Sequence, residues 1–327
     1  MDIRNNPELV NLFFKQIIEP KFSDAYNKAL ETLILNKVGM QMESNGESTI
    51  HGWMNQIDRM KEWVGPRVIS NVSLNGLEVV NRIFQNAIAI PRKSFDADSH
   101  GLYANNAAYL GNDAAFNKDR LLIEAMLRGS STKWADGINA FDGSSNRKFD
   151  GTNAINNYGT DSLDQAGVNL ASAYAKMTSY VGHGGQPLMV QPKYLVHGPQ
   201  LRIRAFQNLK SGSYFTLAAD NTTYVTAGAN PNQGLLESLE TPLPVNGFVD
   251  SKGTSYNAAY YWAIIGEVVG LKPLVYQNWK EPEFQDARVS PNSEWAFAND
   301  EFQWGVRSAG EAFIGLPWLM YFNAATA

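Results

Sequence analysis

Residues able to do chemistry are sparse in this chain. It has no cysteine, which removes disulfides, thiol nucleophiles and thiolate metal sites. Its four histidines, His51, His100, His183 and His197, form no i, i+4 pair and have no acidic partner at ligand spacing, so no zinc or di-iron site is expected. His183-Gly184-Gly185 looks like an oxyanion-hole loop. The Gly-x-Ser-x-Gly elbow that such a loop serves is missing, and a glycine turn before a strand accounts for it. Asp136-Gly137, Asp142-Gly143 and Asp150-Gly151 suggest calcium at first sight. Their spacing does not supply alternating oxygen ligands, and tight turns explain them better. Glu267, Glu281, Glu283 and Asp286 are scattered carboxylates that nothing in the sequence sets at a catalytic separation. No Walker loop or dinucleotide fingerprint is present. The chain is read as non-enzymatic, with no cofactor and no metal.

What remains is recognition through charge and apolar surface. Arg59, Lys61, Glu62, Arg67, Glu78, Arg82 and Arg92 mix both signs over a stretch that reads as extended. Such a ribbon is either a solvated edge kept from aggregating by charge or a set of intersubunit ion pairs that fix register. The composition fits a chain with covered surfaces. Of 327 residues, 44% are hydrophobic, 12% aromatic and only 18% charged, against about 25% charged in an ordinary globular chain. Global disorder is excluded. The low charge hints that much of the surface meets something other than water. The formal charge of −5 and a pI near 5.5 argue against a dedicated nucleic-acid binder. The first residues lack the apolar run of a signal peptide. The most apolar stretch, 258–271, contains Glu267 and falls short of the roughly 20 residues that a membrane span needs.

The elements that must position these residues follow from periodicity. Length suggests about two domains or one elaborated one. Leu9, Leu12, Phe13 and Ile17 predict a first helix ended by Pro20. Ser23 is expected to cap a second helix carrying Tyr26, Ala29, Leu30 and Leu33, closed by Gly39. These faces are too small for a domain of their own and should dock on another surface. Alternating Val68, Val72, Leu74 and Leu77, Val79, Ile83, with Asn75-Gly76 as a type I′ turn, predict a long hairpin over roughly 63–90. An isolated two-stranded ribbon is marginal in water, so this one needs a partner surface. A long helix is expected over about 97–127, weakened at Gly111, and another over about 163–180. A strand over 187–196 should lead into a helix whose buried stripe is Leu201, Ala205, Phe206 and Leu209. The stretch 221–253 reads as loops with short strands, and 258–322 as strand-rich and aromatic.

Four blocks of residues carry a family resemblance. The first is Met60-Lys61-Glu62-Trp63-Val64-Gly65-Pro66-Arg67, with Phe84, Pro91-Arg92, Asp96, Asp98, Gly101 and Tyr103 behind it. The second is Asp136-Gly137 followed by Phe141-Asp142, here without the His-Pro that often follows. The third is Leu271-Lys272-Pro273-Leu274-Val275-Tyr276-Gln277, with Pro282 and Phe284. The fourth runs from Glu301-Phe302 through Trp304-Gly305-Val306 to Trp318. In this order, from about Trp53 onward, the chain resembles the Mu-like phage major head subunit family, major capsid proteins of the Hong Kong 97-type fold.

The resemblance implies an α+β fold with an N-terminal arm (1–52), an extended hairpin loop (53–92), a peripheral domain with a long spine helix (93–150), an axial domain (151–257) and return strands completing the peripheral domain (258–327). It implies self-assembly into hexamers and pentamers of an icosahedral head enclosing double-stranded DNA without sequence-specific binding. A separate scaffold protein and a portal are implied as partners, with assembly in the host cytoplasm, residence in the virion and no membrane. Arg59, Lys61, Arg67, Glu78, Arg82 and Arg92 are then expected in intersubunit ion pairs, with Trp63 anchoring the hairpin base. No lysine lies between Glu62 and Arg92, so stabilisation without covalent cross-links is expected. The alternative is a carbohydrate-binding or hydrolytic β-rich protein, with the eight tryptophans lining a sugar groove. The hairpin discriminates: an enzyme would tuck it into a larger sheet, a capsid subunit would project it.

Overall fold

The computed structural model describes residues 14–54, 74–96, 102–182, 185–217, 224–285 and 298–326. A π-helical turn, Phe14–Ile18, runs straight into helix α1 (Glu19–Leu30), and a short α2 (Leu35–Val38) follows. Pro20 lies in the first turn of α1, where its missing N–H leaves no bond unmade. It therefore starts a helix where the sequence had suggested an end, and Ser23 lies inside that helix. Strands β1 (Gly39–Glu43), β2 (Ser48–Met54), β3 (Leu74–Val80) and β4 (Arg82–Pro91) come next. A short α3 (Arg92–Asp96) precedes the long α4 (Leu102–Arg128). The middle of the chain holds β5 (Tyr158–Gly159), α5 (Val168–Thr178), β6 (Gln191–His197), α6 (Arg202–Leu209), β7 (Ser213–Leu217), β8 (Tyr224–Ala229), β9 (Glu237–Glu240), β10 (Asn246–Val249) and β11 (Ser255–Asn257). It closes with β12 (Trp262–Glu267), β13 (Leu274–Gln285), β14 (Glu301–Ile314) and β15 (Met320–Asn323).

Two mixed sheets organise these elements. The first has the order β1-β13-β14-β4, the second β5-β15-β12-β6-β9. The returning strands thus divide: β13 and β14 complete the first sheet, whereas β12 and β15 join the second, beside elements from the middle of the chain. The residues of β12 explain this placement. Trp262 to Gly266 are buried on both faces, which suits a central strand and no edge. Alternation along β12 also separates two cores. Ala263 and Ile265 join Leu121, Leu122 and Met126 of α4 and Leu274, Tyr276 and Ile314 of the first sheet. Trp262 and Ile264 face Leu170 and Met177 of α5 and Leu201 and Leu209 by α6. Trp318 packs against both cores, edge-on to Trp134 and to Phe149.

The N-terminal helix docks on the molecule itself. Ile18 and Phe22 pack with Ala107, Leu110 and Trp304. Gly111 permits this approach: a Cβ there would lie 2.4 Å from the Phe22 carbonyl oxygen and 3.0 Å from the Tyr26 nitrogen. Its glycine is thus a contact requirement between α1 and α4 and not merely a weak point of the long helix. Leu201, in the turn just before α6, and Ala205 and Leu209 on it are buried as expected, but Phe206 is 57% exposed. The stripe advances in steps of four, and residue 206 sits one position, about 100°, off that line.

Candidate assembly surface

The hairpin differs from its expected form. Asn75-Gly76 is not a turn; both residues lie within β3, where Gly76 faces Gly52 of β2 and Asn75 faces Trp53. A Cβ on Gly76 would meet Ile50 Cγ2 at 2.9 Å, so this glycine serves cross-strand packing. The antiparallel pair is β2 with β3, while β4 leaves the ribbon and joins the first sheet against β14. Arg59, Lys61, Trp63 and Arg67 lie outside the described residues.

Alternation gives the ribbon an inner and an outer face. Val79, with Leu77 and Met40 against it, packs on Val275 and Phe313 of the first sheet. Beneath it runs a buried polar ladder. His51 Nε2 bonds to the Gln277 side-chain oxygen. Gln277 Nε2 donates to Asn81 Oδ1 at 2.8 Å, and Asn81 Nδ2 donates to the Gly46 carbonyl at 2.7 Å and to Ser44 Oγ at 2.9 Å. The Gly46 carbonyl can only accept, which orients Asn81, then Gln277, and so requires a proton on His51 Nε2. The outer face carries Ile50, 69% exposed, with Val80 and Glu78 also exposed.

Arg82 belongs to an intrachain network. Its guanidinium bonds both carboxylate oxygens of Glu311 and donates to Ser251 Oγ at 2.7 Å. Glu124, fully buried, accepts from Arg120 Nε at 3.0 Å and from the Ser251 amide at 3.0 Å. Arg128 lies 3.7 Å from both Asp250 and Glu311. An intersubunit pair for Arg82 would have to give these bonds up. Arg92 is half-buried, and its amide donates to the Asp300 carbonyl at 2.8 Å. Of the described members of the expected set, Glu78 lies on the ribbon's outer face. Sequence reasoning missed Glu124, Arg128, Asp250 and Glu311, because they reach Arg82 from three other segments.

A second polar centre holds the N-terminal helix. Glu281 of β13 accepts from Tyr26 Oη at 2.6 Å, from Lys118 Nζ at 3.1 Å and from Asn278 Nδ2 at 3.0 Å. Burial works to raise the Glu281 carboxyl, but the Tyr26 hydrogen bond, the Lys118 charge and further bonds from Lys118 and Gln41 outweigh it and hold the group below the usual glutamate range. Because the folded pKa is depressed, this contribution to stability is present above the unfolded value near 4.3 and is lost as pH falls through the folded value. Hydrogen exchange in 19–30, corrected for intrinsic rates, should therefore accelerate below about pH 4, and Glu281→Gln should abolish that step. Equal protection of the wild-type helix at pH 5 and pH 3 would refute the latch.

The remaining candidates lie apart. His197 bonds to the Gly198 carbonyl and to Ser238 Oγ, both at 2.8 Å. His100 and His183 lie outside the described residues. Among the described residues no group of three or more histidines and carboxylates could hold a metal. Glu267 pairs with Lys193, Glu281 with Lys118, and Asp286 lies outside the described residues. Trp134, Trp262 and Trp304 are buried core, which leaves them unable to line a sugar groove. No helix among the described residues is long and apolar enough to cross a membrane.

Comparison with known proteins bears on this arrangement. Residues 13–167 and 245–326 match the model of the family described as Mu-like prophage major head subunit gpT. The chain is 33% identical over 107 residues to the major capsid protein of Escherichia phage Mu, covering 33% of this chain and 35% of that one. It is 28% identical over 172 residues to the Mu-like prophage FluMu major head subunit of Haemophilus influenzae, covering 51% and 54%. The chain thus spans about a third to a half of the length of these relatives. Among solved structures, the subunit of the bacteriophage JBD30 procapsid superposes with a TM-score of 0.51 at 19% identity, over 98% of this chain and 77% of that one. The virus-like particle subunit of Pyrococcus furiosus gives 0.53 at 11% identity, over 93% and 98%. At these identities the likeness is one of fold, and the α+β capsid fold expected from the sequence is the fold the chain has.

Proposed function

Because the chain belongs to the Mu-like prophage major head subunit family, we propose that it is a major capsid protein, assembling in many copies into the shell of a phage head. The family match over 13–167 and 245–326 carries this reading. In this reading the shell is icosahedral and built of hexamers and pentamers, encloses double-stranded DNA without reading its sequence, and is held without covalent cross-links. Assembly takes place in the host cytoplasm with a scaffold supplied as another chain, and a portal completes the head. The β2–β3 ribbon and the residues beyond it serve as the extended loop, α4 as the spine helix of the peripheral domain, and the second sheet with α5 and α6 as the main body of the axial domain. Arg59, Lys61, Trp63, Arg67, Glu78 and Arg92 are the proposed contacts with neighbouring subunits. Arg82 remains in that proposed set, and within its own chain its guanidinium ties the loop's root to Glu311.

An acidic subunit suits a container for DNA, since lysines and arginines aimed at phosphates would add a salt-dependent grip. Negative-stain imaging and light scattering of the chain, expressed alone and with its neighbouring head genes, test the proposal. Shells are expected, with Arg67→Glu cutting their yield while the unassembled subunit keeps its melting temperature. Monomers under every condition would overturn it.

A further inference from the structure

The strand β4 ends the first sheet. It pairs with β14 at ten successive positions, from Arg82 opposite Gly310 to Pro91 opposite Glu301, without a bulge. Among the described residues, no other main-chain hydrogen bond reaches it. Alternate residues of an antiparallel strand aim their N–H and C=O groups away from the paired neighbour, so about half of the main-chain groups of β4 face outward. Natural edges are protected by lysines, prolines, bulges or shortness. Between Ile83 and Ile90 this edge has none of these. Ile83 is 53% exposed, and Gln85, Ala87 and Ala89 are exposed with it.

A groove of about 680 Å³ lies beside this edge, between β4, α4 and the loop after β9. Phe84, Asn86, Asp113, Phe116, Arg120 and Glu240 line it. Asp119 lies in the same wall, with its carboxylate already accepting from the Ile34 and Leu35 amides. Arg120 is paired with Glu124, and Asp113 accepts from the Asn86 side-chain amide at 2.7 Å. Glu240 is paired with Arg202 at 3.5 Å and Arg120 is committed to Glu124, so Asp113 and Asp119 are the carboxylates that leave the groove acidic, with the exposed Phe116 ring as an apolar seat.

We propose that β4 is a strand-addition site, taking an extended segment from a second copy of this chain whose basic side chains enter the groove. The open hydrogen-bond ladder calls for an extended main chain, and the acidic wall selects lysine or arginine. That the occupant is another copy rests on the assembly reading above.

Hydrogen exchange of 82–91, compared between purified particles and subunits dissociated from them, tests this. Alternate amides should be protected at least tenfold in particles. Asp113→Lys should lower particle yield at least tenfold while leaving the subunit's melting unchanged. Particles whose β4 amides exchange as fast as in free subunits would overturn the site and leave the capsid reading standing. Protection present only while a scaffold protein is bound would overturn the choice of occupant. Failure of the wild-type chain to form particles at all would remove the capsid reading and this site with it.

Discussion

Replacing Arg147 with methionine is expected to destabilise the subunit more than any other single change outside the hydrophobic core. Arg147 is 1% exposed. Its Nε donates to Asp136 Oδ2 at 2.7 Å, its Nη1 to the Ala140 carbonyl at 3.1 Å and its Nη2 to the Asn139 carbonyl at 3.0 Å. It also lies over the Trp134 ring, 5.6 Å from the centroid. One side chain thus ties together the loop that the Asp-Gly turns punctuate. Methionine fills similar volume but donates to none of these groups and leaves the Asp136 carboxylate without its cation. Breaking a buried pair from one side costs about 3–5 kcal/mol, a large part of the stability of a typical domain. Arg147→Lys should recover only a part, because an ammonium cannot fork to a carboxylate and two carbonyls at once. Denaturant titration of the unassembled subunit measures both variants. A midpoint for Arg147→Met equal to wild type would show that the network carries no net stability.

Gln277→Leu should loosen the ribbon at its root. Gln277 is fully buried between His51, Asn81 and the Val79 carbonyl. Leucine keeps the volume and orphans the His51 N–H and the Asn81 oxygen, at about 1–3 kcal/mol for each buried unsatisfied group. The loss should fall on β2 and β3, which are otherwise held by a small apolar cluster around Val79, Val275 and Phe313. Exchange in 48–54 and 74–80 should rise selectively, and particle yield should fall with it. Pairing the change with His51→Phe removes one orphan and adds an aromatic ring near Phe313, whose centroid lies 4.8 Å from the histidine ring. The double variant should then be more stable than Gln277→Leu alone, a coupling that a double-mutant cycle reads directly. Additive losses would show that the ladder is not a unit.

The elements were easier to read than their partners. The long helix announced itself because Ala107, Leu110, Ala114, Leu121 and Ala125 recur at helical spacing and are all buried. The aromatic strands of the last third were legible for the same kind of reason. Asn75-Gly76 misled because a glycine that permits a turn equally permits a close cross-strand contact, and the Ile50 side chain lying diagonally across the ribbon decides between them. Pro20 misled because proline both ends one helix and begins the next, and local sequence does not say which. The polar centres were out of reach altogether. His51 meets Gln277 across 226 residues of chain and Tyr26 meets Glu281 across 255.

Composition, local periodicity and the order of four motif blocks were enough to read which chemistries are excluded, where most periodic elements lie and which family the chain resembles. Those depend on residues close together in the chain or on their order along it. It took the folded chain to show that Arg82 meets Glu311, that β12 and β15 serve the second sheet, that Arg147 lies in the interior and that, among the described residues, β4 pairs with β14 alone. Each of these depends on which distant segments meet, and a buried charge is stable only where such a meeting supplies its partners.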